Sequence, residues 1–448
     1  MDSSVIFKAY DIRGTYPDQI DERIARAVGS AFATFVGTPR LVIARDMRPS
    51  GVALSAAFAL GARAVGVEVI DLGLASTDLL YFASGHLDAP GAMFTASHNP
   101  AQYNGIKLCL AGARPVGVDT GLAQIEKMTS EYWREPATGD LAPLEHQDLM
   151  GEWVRHVHSF VDLGALRPLK IVADTANGMG GFIAPKIFAG LPFELEIMYA
   201  ELDGTFPNHP ADPLNPENLR DLQARVLEVG ADLGLAFDGD ADRVFLIDEK
   251  AQLISGSTTT AIVASAMLKR NPGATILYNL ICSKSVPAVI TEAGGVPVRT
   301  RVGHSYIKQT MADTNAIFGG EHSGHYYYRD NYRADSGIIT AMIVLELLSR
   351  SSVPMSEFAR PFKRFASSGE INTVVRDPAA IVATIARRLK DEGVAIDELD
   401  GLTADYASWW FNLRSSNTEP LLRLNVEAPD EATCRARVDE VLTMIKGA

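Results

Sequence analysis

Three times in the first three-quarters of the chain, an apolar strand candidate leads through a helix candidate to further strands, and the last strand of each unit runs straight into a polar loop. The first unit reads "RLVIARD" (40–46), a helix over 50–66, "VEVIDLG" (67–73) and "GAMFTAS" (91–97). The second reads "LKIVADT" (169–175), a helix near 180–190, "FELEIMY" (193–199), a helix over 218–230 and "LGLAFDG" (233–239). The third reads "ATILYNL" (274–280), a helix over 285–295, "VPVRTRV" (296–302), a helix over 305–314 and "NAIFGGE" (315–321). Continuous apolar strands separated by helices indicate α/β layers with parallel strands buried on both faces. The irregular spacing points to duplication of whole domains rather than a solenoid.

After Phe362 the pattern changes. "INTVVRD", a helix over "PAAIVATIARRLKDEG", the pair "SWWFNLRSSNTEPLLRLNVEA" and a last helix read as a smaller α+β domain. With 448 residues, more than one core is needed. The expected domains are 1–148, 149–252, 253–362 and 363–448.

In α/β sheets, ligands sit beyond the carboxyl ends of the strands. The three polar loops, "TASHNP" (95–100), "DGDADR" (238–243) and "GEHSGH" (320–325), would converge if the domains faced one cleft. Ser97, with His98 and Asn99 ahead of Pro100, is either a displayed hydroxyl or part of a capped turn. Asp238, Asp240 and Asp242 repel one another unless a cation sits among them, and all-oxygen ligation implies Mg²⁺, Mn²⁺ or Ca²⁺. An EF-hand would place Glu249 at its twelfth position, but Arg243 stands where that loop requires glycine, and "VFLID" is a strand. Arg243 suits a phosphate better than a structural ion pair.

"RSSNTEP" offers Arg414, Ser415, Ser416, Asn417 and Thr418. A guanidinium fork beside hydroxyl and amide donors is a phosphate cradle, and the same residues also suit a hairpin turn. Glu321 and Ser323 can bond vicinal hydroxyls, His325 can carry a proton, and His322 reads as structural. Lys8 and Arg13 precede Gly14 with no amphipathic pattern to explain them, and Lys107 follows Ser97 closely enough to share its site.

The net charge of −14 argues against nucleic acid or an anionic membrane as partner. Cys109, Cys282 and Cys434 form no CxxC pair, which fits a reducing compartment. The polar N-terminus and the lack of a spanning apolar stretch lead us to expect a cytoplasmic protein.

Together "YDIRG", "TASHNP", "DGDADR", "GEHSGH" and "RSSNTEP" resemble the α-D-phosphohexomutase superfamily, in its bacterial phosphomannomutase/phosphoglucomutase branch. The resemblance spans essentially the whole chain. It implies an α/β fold of four domains around a central cleft, the first three with a related mixed α/β core and the fourth a smaller α+β domain. It further implies a phosphoserine at Ser97 and one Mg²⁺ held by Asp238, Asp240, Asp242 and a phosphoserine oxygen. Lys107, Arg243, His325, Arg13 and His98 are expected to take part in catalysis. Tyr10, His304, Glu321, Ser323, Arg414, Ser416, Asn417 and Thr418 are expected to bind substrate.

The implied reaction moves phosphate between the 1- and 6-positions of a hexose phosphate, with mannose and glucose phosphates as substrates and a 1,6-bisphosphate as intermediate and activator. A monomer or weak homodimer is expected. A phosphoglucosamine mutase and a metal-dependent sugar phosphatase are the alternatives. His322 favours the mannose/glucose enzymes over the former, and Lys284 has no assigned role.

Overall fold

Gly91–Phe94, Leu233–Phe237 and Phe318–Gly320 are buried at every position, and each lies between two neighbours in its sheet. Sandwiched strands of this kind need apolar side chains on both faces, hence the unbroken apolar runs. The computed structural model describes residues 5–133, 140–415 and 421–447.

One topology is used three times. Arg40–Arg45 lies parallel between Glu68–Leu74 and Gly91–Phe94. Leu169–Asp174 lies likewise between Phe193–Met198 and Leu233–Phe237. Thr275–Asn279 lies between Val296–Thr300 and Phe318–Gly320. The parallel reading needs one addition. Each third strand turns back into an antiparallel neighbour, Tyr103–Leu110, Val244–Asp248 or Tyr326–Tyr328. An antiparallel return needs only a short loop, so the three polar loops are turns at the carboxyl edges of their sheets. Strand order reverses beside each, which is where α/β sheets bind ligands.

The long helix after the third sheet carries no amphipathic signal. Gly337–Arg350 is buried around most of its surface, so no polar stripe marks it. One apolar core runs from Val42 to Ala359 and joins the first three sheets. The fourth sheet is antiparallel throughout, in the order Ala366–Val374, Leu421–Ala428, Trp410–Ser415, Leu402–Asp405 and Ala395–Asp397. Its core, from Ile385 to Ile445, is separate.

Polar contacts dock the fourth sheet onto the third. Lys284 donates from its backbone N–H to Glu427 (2.9 Å) and from its ammonium to Asp405 (2.7 Å), while the Val302 N–H donates to Asp400 (3.1 Å). Among the described residues, no single helix is long and apolar enough to cross a membrane.

Candidate active site

Ser97 is the first residue that the strand Gly91–Phe94 cannot explain. Its backbone sits in the left-handed region at φ 48°, an uncommon place for a non-glycine residue. The hydroxyl is buried and donates to Asp238 Oδ2 at 2.7 Å. Gly239 packs so closely beneath it that a Cβ there would meet the Ser97 carbonyl oxygen at 2.5 Å. The Ser97 loop and the acidic loop therefore touch, 141 residues apart in sequence.

Asp238, Asp240 and Asp242 curl around a point after the strand Leu233–Phe237 ends, with Ala241 at φ 62° making the bend. All three are buried, and each offers an oxygen within 4.8 Å of the others'. Burial, then the two neighbouring carboxylates, pushes the Asp238 pKa well up. Asp240 Oδ1 and Asp242 Oδ1 are buried without a hydrogen-bond partner. All-oxygen and acidic, with these two oxygens left unpaired, this donor set fits a hard divalent cation.

Two cations already border the cluster. Lys107 Nζ donates to Asp240 Oδ2 at 2.8 Å and to Asp242 Oδ2 at 2.7 Å. Burial opposes its charge, yet these carboxylates win and hold its pKa well above the usual lysine value. Arg243 points its Nη2 at Ser97 Oγ (3.4 Å) and at His98 Nδ1 (2.9 Å). His98 is driven well below its ordinary pKa, first by burial and then by Arg243 and Arg13. It is a neutral acceptor here. Arg13 bonds Asn99 Oδ1 at 2.6 Å and pairs with Asp11, so it braces the same loop.

His325 belongs to the third loop. Its Nδ1 lies 2.8 Å from Asp335 Oδ2 and 3.9 Å from Asp242 Oδ1. Asp335 is buried and its pKa is held low against burial, chiefly by Lys308. It therefore accepts the Nδ1 proton and leaves Nε2 as the nitrogen for other work.

Glu321 is fixed by the Asn279 amide (3.1 Å), the Gly303 N–H (3.1 Å) and the Tyr327 hydroxyl (2.7 Å). Ser323 is half-buried on the same turn. His304 packs edge-on against Tyr10 with 5.1 Å between ring centres, and burial lowers its pKa to about 3. Tyr10 is raised to about 12, mainly by burial. His322 Nδ1 lies 2.9 Å from the Ser257 hydroxyl, a contact inside its own domain.

In the fourth domain Arg414 donates to Glu370 Oε2 at 2.7 Å, with Arg423 opposite it in the neighbouring strand. Ser416, Asn417 and Thr418 lie outside the described residues.

Sequence reasoning missed four participants. Thr77 donates to Asp240 Oδ2 at 2.6 Å. Arg48, Asp335 and Lys308 are buried supports of the Ser97 loop and of His325. Arg48 alone had a usable cue, since it follows the carboxyl end of a central strand.

Four family profiles match the chain. They are described as "Phosphoglucomutase/phosphomannomutase, alpha/beta/alpha domain I" over residues 4–134, domain II over 151–252, domain III over 255–365, and the C-terminal domain over 370–444. A phosphomannomutase of Salmonella montevideo is 40% identical over 455 residues, covering 99% of this chain and 100% of the relative. A protein of Xanthomonas campestris described as "Phosphohexose mutases" is 41% identical, covering 98% of this chain and 99% of its own. A crystal structure of a phosphoglucomutase/phosphomannomutase family protein from Burkholderia thailandensis superposes with a TM-score of 0.90 at 33% identity, covering 100% of this chain and 98% of that one.

Proposed function

The chain belongs to the phosphoglucomutase/phosphomannomutase family and is a phosphohexomutase, an isomerase of hexose phosphates, and on that premise we propose that it shifts a phosphoryl group between the 1- and 6-positions through Ser97. The observation that carries this reading is the buried Ser97 hydroxyl, 2.7 Å from Asp238, with Arg243 at 3.4 Å and two further aspartates beside it.

Asp238, Asp240 and Asp242 would hold Mg²⁺, with a phosphoserine oxygen as a further ligand. A bound Mg²⁺ would neutralise phosphoryl charge and orient the phosphoserine. Phosphoserine brings about −1.5 to −2 charge, and phosphoryl transfer depends mostly on positioning and charge neutralisation. Arg243 stands where it can bond the transferring group. Lys107, kept protonated by its carboxylates, adds positive charge and is the acid that protonates Ser97 Oγ as it leaves. His325 Nε2 is the base for the sugar hydroxyl.

In the forward half-reaction the sugar oxygen attacks phosphorus, its proton leaves to the base, and the P–Oγ bond breaks with its electron pair on Ser97 Oγ. The resulting 1,6-bisphosphate turns over and gives its other phosphate back to Ser97. No net hydrolysis occurs. Tyr10, His304, Glu321 and Ser323 would line the sugar, and Arg414 with Ser416, Asn417 and Thr418 would hold the phosphate that is not reacting. Mannose phosphates are the proposed first substrates and glucose phosphates the second, acted on by a cytoplasmic monomer or weak dimer. The domain limits proposed are 148, 252 and 362.

The test is turnover of mannose 1-phosphate, glucose 1-phosphate and glucosamine 1-phosphate with Mg²⁺ and trace bisphosphate, read as 6-phosphate formed and phosphate released. Sugar 6-phosphate from mannose 1-phosphate without free phosphate is expected. Stoichiometric free phosphate would make it a phosphatase, and a clear preference for glucosamine 1-phosphate would overturn the sugar assignment.

A further inference from the structure

Arg48 is an arginine with almost no exposure, and its guanidinium meets mainly backbone. Nη1 donates to the carbonyl oxygens of Pro100 and Tyr103, both at 2.9 Å. Nη2 donates to those of Ser97 (2.9 Å) and Asn99 (2.6 Å). One rigid fork thus takes four carbonyls from a single turn. Asp46 balances the charge, with Oδ2 3.3 Å from Arg48 Nε and Oδ1 accepting the Arg48 N–H at 2.9 Å.

The second domain closes over the same residue. The Phe206 ring covers the guanidinium at 5.1 Å, and Gly204 comes so near that a Cβ there would meet Arg48 Cα at 2.7 Å. None of these bonds involves a side chain of the turn. Ser97 and its neighbours are held by their carbonyls, and the side chains of Ser97 and His98 are left to face Asp238 and Arg243.

We propose that Arg48 is a positioning residue for the proposed transfer: its fork fixes the left-handed backbone of Ser97, so that one phosphoserine geometry serves both transfers of a turning bisphosphate. The proposal rests on the reading of Ser97 as the phosphorylated residue. A lysine keeps the charge but cannot span four acceptors in a plane, so the conservative change separates charge from geometry. Displacing a reacting group by about 1 Å costs on the order of 100-fold in rate. Sugar binding, which uses other loops, is left alone.

The experiment compares Arg48→Lys and Arg48→Met with the full-length wild type. It reads kcat and KM per folded molecule for mannose 1-phosphate, the phosphate carried by the Ser97 peptide, and the ³¹P line of the phosphoenzyme. In both variants kcat falls about 100-fold, KM stays within about threefold, and the ³¹P line shifts or broadens. Wild-type kcat in Arg48→Lys, with an unchanged ³¹P line, would overturn the proposal while the phosphoserine stands. Activity lost only in proportion to unfolded protein, or failure of both variants to fold, would assign Arg48 to folding and overturn it as well. A wild-type Ser97 peptide that never carries phosphate under turnover would instead sink the nucleophile reading, and this proposal with it.

Discussion

The Lys107 ammonium lies 2.8 Å from Asp240 Oδ2, inside the carboxylate cluster that fits a divalent ion. Three aspartates alone would repel, and removing one would relieve the protein. Lys107, with the Thr77 hydroxyl at 2.6 Å on the same oxygen, changes that expectation.

Asp240→Asn should therefore destabilise metal-free protein by about 1–3 kcal/mol, because a buried charged hydrogen bond is weakened. The same change should weaken Mg²⁺ binding and lower kcat by about 100-fold or more. Calorimetric binding and denaturant melts with and without EDTA check both halves. A metal-free variant more stable than wild type would show that repulsion, not Lys107, governs the cluster.

Metal removal gives a second expectation. EDTA-treated enzyme should lose nearly all turnover and regain it with Mg²⁺. Ca²⁺ should bind and support little, because its looser geometry orients the phosphoryl group poorly. Full activity in EDTA would contradict the assignment of the cluster.

Asp78 provides a pH effect. It is fully buried, accepts hydrogen bonds from Ser76 and from Ser336 (2.7 Å), and burial raises its pKa to about 7. Its unfolded value is about 3.9, so the folded state binds the extra proton between those values. The stability it contributes is full below about pH 4 and is lost as pH rises through about 7. Wild type should thus be stronger relative to Asp78→Asn at pH 5 than at pH 8, by at least about 1 kcal/mol in urea melts. An equal difference at the two pH values would count against it.

Arg414 lies against Glu370 at 2.7 Å. If it holds the distal phosphate, Arg414→Ala removes a charged contact worth about 1.5–3 kcal/mol, or roughly a 10- to 150-fold rise in KM. Dependence on added 1,6-bisphosphate should also increase, because the intermediate escapes before it turns. Unchanged kinetics would leave the loop as a hairpin turn.

The strands and the three polar loops were legible because burial on both faces demands unbroken apolar runs, and a turn full of carboxylates or hydroxyls has few structural explanations. The supports were not legible. Thr77 reaches Asp240 across 163 residues and Ser336 reaches Asp78 across 258, and no local pattern records such pairings. Arg48 and Lys308 are enclosed by backbone carbonyls and by the Tyr81 ring, surroundings that come from distant segments. Lys284 had no role in the sequence, and it docks the fourth domain through Glu427 and Asp405. The antiparallel returns were hidden because Val244–Asp248 and Tyr326–Tyr328 are buried at every position, so they lack the alternation that marks a half-exposed antiparallel strand.

The central claim is that Ser97 carries the phosphate that reaches the sugar. Enzyme labelled with ³²P from a hexose 1,6-bisphosphate, freed of excess reagent, is mixed with unlabelled mannose 1-phosphate in one turnover. The label should map to the Ser97 peptide before mixing and to sugar phosphate afterwards, and Ser97→Ala should take up none. Label on another residue, or its release as inorganic phosphate, would contradict the account.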